Sequence, residues 1–260
     1  MGGAILAGLV GSGAATGGVI VTNRTEQKAA ALRSAGVESL SHETTPDANR
    51  VAVRGAGVVL IGVKPAMVAD LLSEVSGALE PDAVVVSVAA GVTIASMEAV
   101  VPQAVLRAMP NTPSLVRLGV TGLSPGPRAT AEQTALVRAL FETVGAVVEL
   151  PEERIDALST ISGSGPAYVF FLIERLTETA RRMGFDAQQA RLMVEQTFRG
   201  ASELLAASDV GPEELRRRVT SPKGTTERAI AVLEAADLAA VFDEATAAAL
   251  ARAQEMARGA

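Results

Sequence analysis

Two uninterrupted apolar runs constrain this chain more than any other feature: Val58-Val59-Leu60-Ile61-Gly62-Val63 and Ala83-Val84-Val85-Val86-Ser87-Val88. A strand with one wet face alternates apolar and polar residues. A strand without alternation is covered on both faces, as in a parallel sheet flanked by helices. Met67–Ala78 has the spacing of a crossover helix between the two runs. Upstream, Thr25–Ser34 reads as helix and Val37–Leu40 as a short strand. Downstream, Val105–Met109, Val120–Leu123 and Ala146–Leu150 are weaker strands, with a helix over Ala131–Val144. Strand and helix alternating at this interval predict a doubly wound α/β domain over residues 1–150.

After Pro151 the texture changes, and no β-branched run recurs. Glu153–Ser159, Ala167–Met183, Ala187–Ala207, Pro212–Val219, Thr226–Ala235 and Leu238–Arg258 all carry helical spacing. Gly184 and Gly211 stand at helix ends, where a left-handed residue is cheap. Residues 151–260 are therefore expected to form a second, all-α domain.

No charge occurs from Met1 to Asn23. A membrane-inserted or secretory segment is disfavoured, because Gly2, Gly3, Gly8, Gly11, Gly13, Gly17 and Gly18 dilute its hydrophobicity and no basic region precedes it. The expected structure is a small-residue helix over Gly2–Leu9, able to approach a sheet closely, then a Gly-rich turn into the strand Val19–Val21.

Composition narrows the chemistry. The chain has no Cys or Trp, one His (His42) and one Tyr (Tyr168). Thiol catalysis and Cys-based metal centres are thereby excluded, a mechanism built on a His triad has almost no raw material, and no metal site is expected. A net charge of −6 argues against a nucleic-acid partner. Backbone amides, hydroxyls, Arg and a borrowed cofactor remain.

Four constellations use those resources. Asn23-Arg24-Thr25 ends a strand and opens a helix; in dinucleotide-binding folds an acid at this place accepts from a ribose 2′-hydroxyl, whereas Arg accommodates a 2′-phosphate. A capped helix start with solvated charge is the plainer alternative. Gly62-Val63-Lys64-Pro65 and Ala89-Ala90-Gly91 follow the carboxyl ends of adjacent buried strands, where ligands of open α/β sheets lie. Ser162-Gly163-Ser164-Gly165-Pro166-Ala167-Tyr168 opens a long helix, with Ser164 as candidate cap and Pro166 in the first turn. Thr220-Ser221-Pro222-Lys223-Gly224-Thr225-Thr226 clusters hydroxyls and free amides at a helix start, which suits a carboxylate, or serves only as a cap.

Arg107-Ala108-Met109-Pro110-Asn111-Thr112-Pro113, the Ser-Gly-Ser-Gly-Pro-Ala-Tyr run and Val219–Thr226 together resemble pyrroline-5-carboxylate reductase, with Asn23–Thr25, Val63–Pro65 and Ala89–Thr93 in the same order. The resemblance runs over essentially the whole chain. It implies reduction of 1-pyrroline-5-carboxylate to L-proline with NADPH or NADH, the last step of proline biosynthesis. It also implies a Rossmann-type domain followed by a helical domain that interlocks into a homodimer, often assembled into larger rings such as a decamer, in the cytoplasm.

By the same resemblance, Asn23, Arg24 and Thr25 face the adenosine 2′-phosphate and Asn49 lies near the adenine-side ribose. Val63, Lys64 and Pro65 border the cofactor, Val88, Ala89, Ala90 and Gly91 lie beneath its nicotinamide, and Gly2 is the last glycine of the phosphate turn. Ser221, Gly224, Thr225 and Thr226 take the substrate carboxylate, the Thr226 hydroxyl also meets the ring nitrogen as the catalytic group, and Glu152 and Arg218 touch substrate. The substrate loop comes from the partner chain. A cyclic imine is already electrophilic once protonated, so the scarcity of titratable residues is expected.

The sequence departs from the family pattern twice. Lys223 stands where the family commonly has Gly, and its side chain is expected in solvent. The family also opens with a strand and a G-x-G-N-M-G-type turn. Here Met1-Gly2 matches only that turn's end, so about ten residues carrying the first, central strand are expected to be missing, with the natural start further upstream. A non-catalytic or weakly active nucleotide-binding paralogue is the alternative reading. A β-hydroxyacid-type reductase is disfavoured, because the helices after residue 150 contain no Lys.

Overall fold

The computed structural model describes residues 2–13, 18–34 and 37–257. Gly17 and the expected helix end at Arg258 lie outside them. Two compact units are present, one comprising Met1–Gly163 with Leu250–Ala260, the other Ser164–Ala249.

The first unit opens with α1 (Gly2–Ser12), β1 (Ile20–Asn23), α2 (Glu26–Ser34), β2 (Glu38–Ser41), α3 (Ala48–Val53) and β3 (Val58–Ile61). It continues with α4 (Val68–Val75), β4 (Val84–Ser87), α5 (Ile94–Glu98), β5 (Ala104–Met109), β6 (Gly119–Pro125), α6 (Ala131–Glu142), β7 (Gly145–Glu149) and α7 (Ile155–Leu158). The strands form two ladders, β1-β2 and β3-β4-β5-β6-β7. Among the described residues no ladder joins β1 to β3.

Both apolar runs become parallel strands, but only β4 is interior: β3 stands at the edge of its ladder with Leu60 exposed, so the expectation of cover on both faces fails there. Every residue of β4 is buried, and β3 and β4 pair in parallel with Ile61 opposite Ser87. On one face Val59, Ile61, Val85 and Val105 pack with Val68, Leu72 and Val75 of α4 and Ile94 and Met97 of α5. On the other, Val84, Val86, Leu106 and Leu123 pack with Ile5 of α1 and Val137 and Phe141 of α6. Helices on both faces make the fold doubly wound. Gly8 lets α1 come close to the turn between α6 and β7, where a Cβ would run into the Val144 side chain.

One feature of the sheet corrects the sequence reading. β6 runs antiparallel to β5, with Arg107 opposite Ser124. The connection Pro110–Leu118 contains only the short 3₁₀ turn Thr112–Val116, and a parallel return needs a dozen or more residues.

The second unit contains α8 (Gly165–Arg182), α9 (Ala187–Ala206), α10 (Pro212–Arg218), α11 (Thr225–Ala235) and the first part of α12 (Leu238–Ala257). Gly184, between α8 and α9, takes the left-handed conformation at φ +98, and Asp186 caps α9 in a box with Gln189. Gly211 does not: it is the extended N-cap of α10, at φ −73. Ser164 precedes α8 but forms no side-chain cap bond. The π-helical turn Ser159–Gly163 leads directly into α8, so the Ser164 backbone is helical rather than extended, the conformation a capping serine needs.

Candidate functional site

The candidate cofactor positions gather by strand register. Because Ile61 lies opposite Ser87 and the Val88 amide donates to the Ile61 carbonyl at 3.1 Å, Gly62–Pro65 and Val88–Gly91 leave the sheet side by side. Ala89 is buried, while Val63, Val88, Ala90 and Gly91 are half-buried and Lys64 and Pro65 exposed. Gly91 has φ +73, a conformation in which a side chain is strained, so the backbone here is bare as well as sharply turned. The segment is fastened at both ends. The Ala89 amide donates to Ser87 Oγ at 3.2 Å, and the Ile94 amide donates to Glu152 Oε1 at 2.8 Å.

A second cluster forms beyond β1 and β2. Asn23 lies opposite Ser41, its side-chain amide donating to Ser39 Oγ at 3.0 Å, and the His42 amide donates to the Asn23 carbonyl at 3.0 Å. His42 Nε2 lies 3.2 Å from Asn49 Oδ1, and Asn49 Nδ2 donates to Glu74 at 3.1 Å. Asn49 is thus brought to the Asn23 end of the fold, on α3. Arg24 is exposed. Thr25 immediately precedes α2, whose first amide, Glu26, donates to the Glu43 carboxylate at 2.7 Å. Glu26 itself holds its carboxyl below the usual range, mainly through the Ser41 hydroxyl and further through Arg33. Gly2 starts α1 and is exposed, with open space where its side chain would be.

Sequence reasoning did not foresee Arg107 as a buried hub. It lies in β5, its side chain only 4% exposed, with Nη2 at 2.7 Å from Asp156 and Nη1 at 3.5 Å from Glu152. Two positions later on the same strand face comes Met109, and then Asn111, whose side chain donates to the Ser162 carbonyl at 2.9 Å and accepts from the Val120 amide at 2.8 Å. The signal was present as a charge inside the apolar strand Ala104–Met109. Glu152, expected at the substrate, has its carboxylate engaged by Ile94 and Arg107.

The candidate carboxylate loop belongs to the second unit. Lys223 is exposed and left-handed, at φ 60. Its amide donates to Glu227 at 2.9 Å, and the Gly224 amide donates to the Ser221 carbonyl at 3.0 Å. Gly224 is the N-cap of α11, so the amides of Thr225 and Thr226 are the first of a helix and have no partner within it. Arg218 ends α10 with its Nε on Glu214 at 2.9 Å. Hydrogen bonds from Arg217 and then Arg218 hold the Glu214 carboxyl down at about 2. No group of three or more His, Cys, Asp or Glu able to hold a metal occurs among the described residues, nor a helix long and apolar enough to cross a membrane.

Relatives resolve what this arrangement belongs to. The chain is 40% identical over 214 residues to the pyrroline-5-carboxylate reductase of Pseudomonas aeruginosa, covering 81% of this chain and 78% of that one. It is 36% identical to the enzyme of that name from Corynebacterium melassecola, covering 99% and 96%. The chain belongs to the pyrroline-5-carboxylate reductase family. A solved pyrroline-5-carboxylate reductase from Coxiella burnetii superimposes with a TM-score of 0.90 at 36% identity, over 97% of this chain and 93% of that one. Residues 152–256 match the family model described as pyrroline-5-carboxylate reductase dimerisation. Residues 1–91 match the model described as NADP oxidoreductase, coenzyme F420-dependent. The Rossmann-type first unit and helical second unit are therefore those of the reductase family, and membership supports the reductase reading rather than the non-catalytic one.

Proposed function

We propose that this chain reduces 1-pyrroline-5-carboxylate to L-proline with NADPH or NADH, the final step of proline biosynthesis. The observation that carries the reading is a pair of backbone features: a bare, positive-φ turn at Gly91 beside Val63–Pro65, and a helix start at Thr225–Thr226 with open amides. The first suits a flat ring lying against backbone. The second suits a carboxylate.

The nicotinamide, when bound, supplies a hydride to the carbon of the substrate's C=N bond. Val88, Ala89, Ala90 and Gly91 support that end of the cofactor, Val63, Lys64 and Pro65 border it, and Gly2 meets its phosphates. Asn23, Arg24 and Thr25 take the adenosine 2′-phosphate, with Asn49 at the ribose. In the second unit Ser221, Gly224, Thr225 and Thr226 hold the substrate carboxylate, with Arg218 nearby. The Thr226 hydroxyl meets the ring nitrogen and orients it, and the added proton that completes the amine comes from solvent. With an electrophile already in place, orientation is the protein's main contribution.

The dimerisation model over residues 152–256 fits the surface of the helical unit. Its buried apolar residues are only Ala180, Ala190 and Val194, while Phe170, Phe171, Leu192 and Val232 are 66%, 58%, 64% and 70% exposed. Helices with so little internal core are stabilised by another apolar surface. The proposed state is a cytoplasmic homodimer, assembling further into a ring such as a decamer, in which the loop Ser221–Thr226 serves the partner's cofactor.

Thr226→Ala tests the assignment. Removal of one preorganised donor lowers turnover on the order of 10²–10³-fold, with the NADPH dissociation constant unchanged by fluorescence titration. A near-wild-type kcat would remove Thr226 from the chemistry.

A further inference from the structure

We infer that Arg107 and Glu152 are positioning residues for the Ala89–Thr93 turn, an inference that rests on the proposal that this turn supports the nicotinamide. The turn leaves β4 after Ser87 and must hold its height above the sheet with no side chain larger than Val92. Its near end is set by the Ser87 hydroxyl on the Ala89 amide. Its far end is set from outside, by Glu152 Oε1 on the Ile94 amide at 2.8 Å.

Glu152 lies in a short 3₁₀ turn, Glu152–Arg154, and its side chain is 28% exposed, a poor anchor by itself. Arg107 supplies the rigidity. It projects from the middle of the sheet at the level of Ser87 and Ser124, two serines that are also buried. One guanidinium nitrogen faces Glu152 and the other Asp156 of α7, while Nε is buried without a partner. A planar fork inside a packed sheet fixes both carboxylates relative to the strand. From Arg107 the restraint runs through Glu152 to Ile94 and so to the turn. An orphaned Nε is a standing cost, which the site bears while keeping a guanidinium between two acids.

The test compares Glu152→Ala, Glu152→Gln and Arg107→Lys in the full-length protein. Glutamine keeps an oxygen able to accept from the Ile94 amide; alanine does not. Hydrogen exchange of the 88–97 segment reads the restraint without any substrate. Faster exchange is expected in Glu152→Ala and Arg107→Lys, with Glu152→Gln, which keeps the Ile94 acceptor but loses the charge facing Arg107, slower than Glu152→Ala.

In the pyrroline-5-carboxylate assay, Glu152→Ala should lose kcat by roughly 30- to 100-fold, the scale of a 1 Å misplacement. Its NADPH dissociation constant should stay within about threefold, because the Arg24 end is untouched. Glu152→Gln should recover at least about tenfold of the lost kcat, since the Ile94 hydrogen bond survives. Unchanged exchange overturns the inference. So does faster exchange with unchanged kcat, and so does a loss confined to the substrate KM, which would make Glu152 a substrate contact. A wild-type chain that leaves 1-pyrroline-5-carboxylate unreduced would instead overturn the functional reading, with the exchange result still deciding whether the restraint exists.

Discussion

Replacing Phe170 with Ser should break the proposed self-association of the helical unit. Phe170 lies in α8 and is 66% exposed. An aromatic side chain carries about 150–250 Å², so roughly 130 Å² of Phe170 is exposed on each chain. At about 25 cal/mol per Å², covering it contributes about 3 kcal/mol per protomer. A twofold interface uses the residue twice, so the loss approaches about 6 kcal/mol, less whatever Ser recovers by hydration. The dimer dissociation constant should therefore rise by at least about 10³-fold, since each 1.4 kcal/mol is tenfold. Sedimentation velocity across a dilution series measures it, with far-ultraviolet circular dichroism confirming that helices persist. Turnover should fall with the dimer, while NADPH binding to the first unit survives. A dissociation constant shifted less than tenfold in a folded variant would refute the reasoning and place Phe170 outside the interface.

Two further results are expected. Arg24→Ala should raise KM for NADPH about tenfold more than for NADH, the scale of one charge-assisted hydrogen bond to phosphate; equal effects on both would remove Arg24 from the 2′-phosphate. Glu214, whose carboxyl is held at about 2 first by Arg217 and then by Arg218, has a folded-state pKa below its ordinary 4.5. Its contribution to α10 is thus fully present above the ordinary value and is lost as the pH falls through about 2. A ¹³C carboxyl titration showing Glu214 protonating near 4.5 would contradict the paired geometry.

The interior of the fold was legible because burial on two faces leaves one kind of sequence, and β4 is that sequence; β3 carries the same signature yet lies at the ladder's edge with Leu60 exposed. The short helices α3 and α5 were not foreseen: with six and five residues they make too few turns for a 3.6-residue period to show. The reversal of β6 was written only in the length of the segment before it, not in its residues. At the site, the backbone features could be anticipated from Gly91 and Gly224. The side-chain engagements of Glu43, Asn111 and Glu152 could not, because each partner lies between 9 and 58 residues away in the chain.

The most direct measurement is deuterium transfer. NADPH carrying deuterium at the transferable C4 position is incubated with this chain and 1-pyrroline-5-carboxylate, and the product is analysed by mass spectrometry and NMR. The expected result is L-proline heavier by one deuterium, with the label on the ring carbon that belonged to the C=N bond. Cofactor consumed without labelled proline, or no consumption by the folded protein, would contradict the assignment.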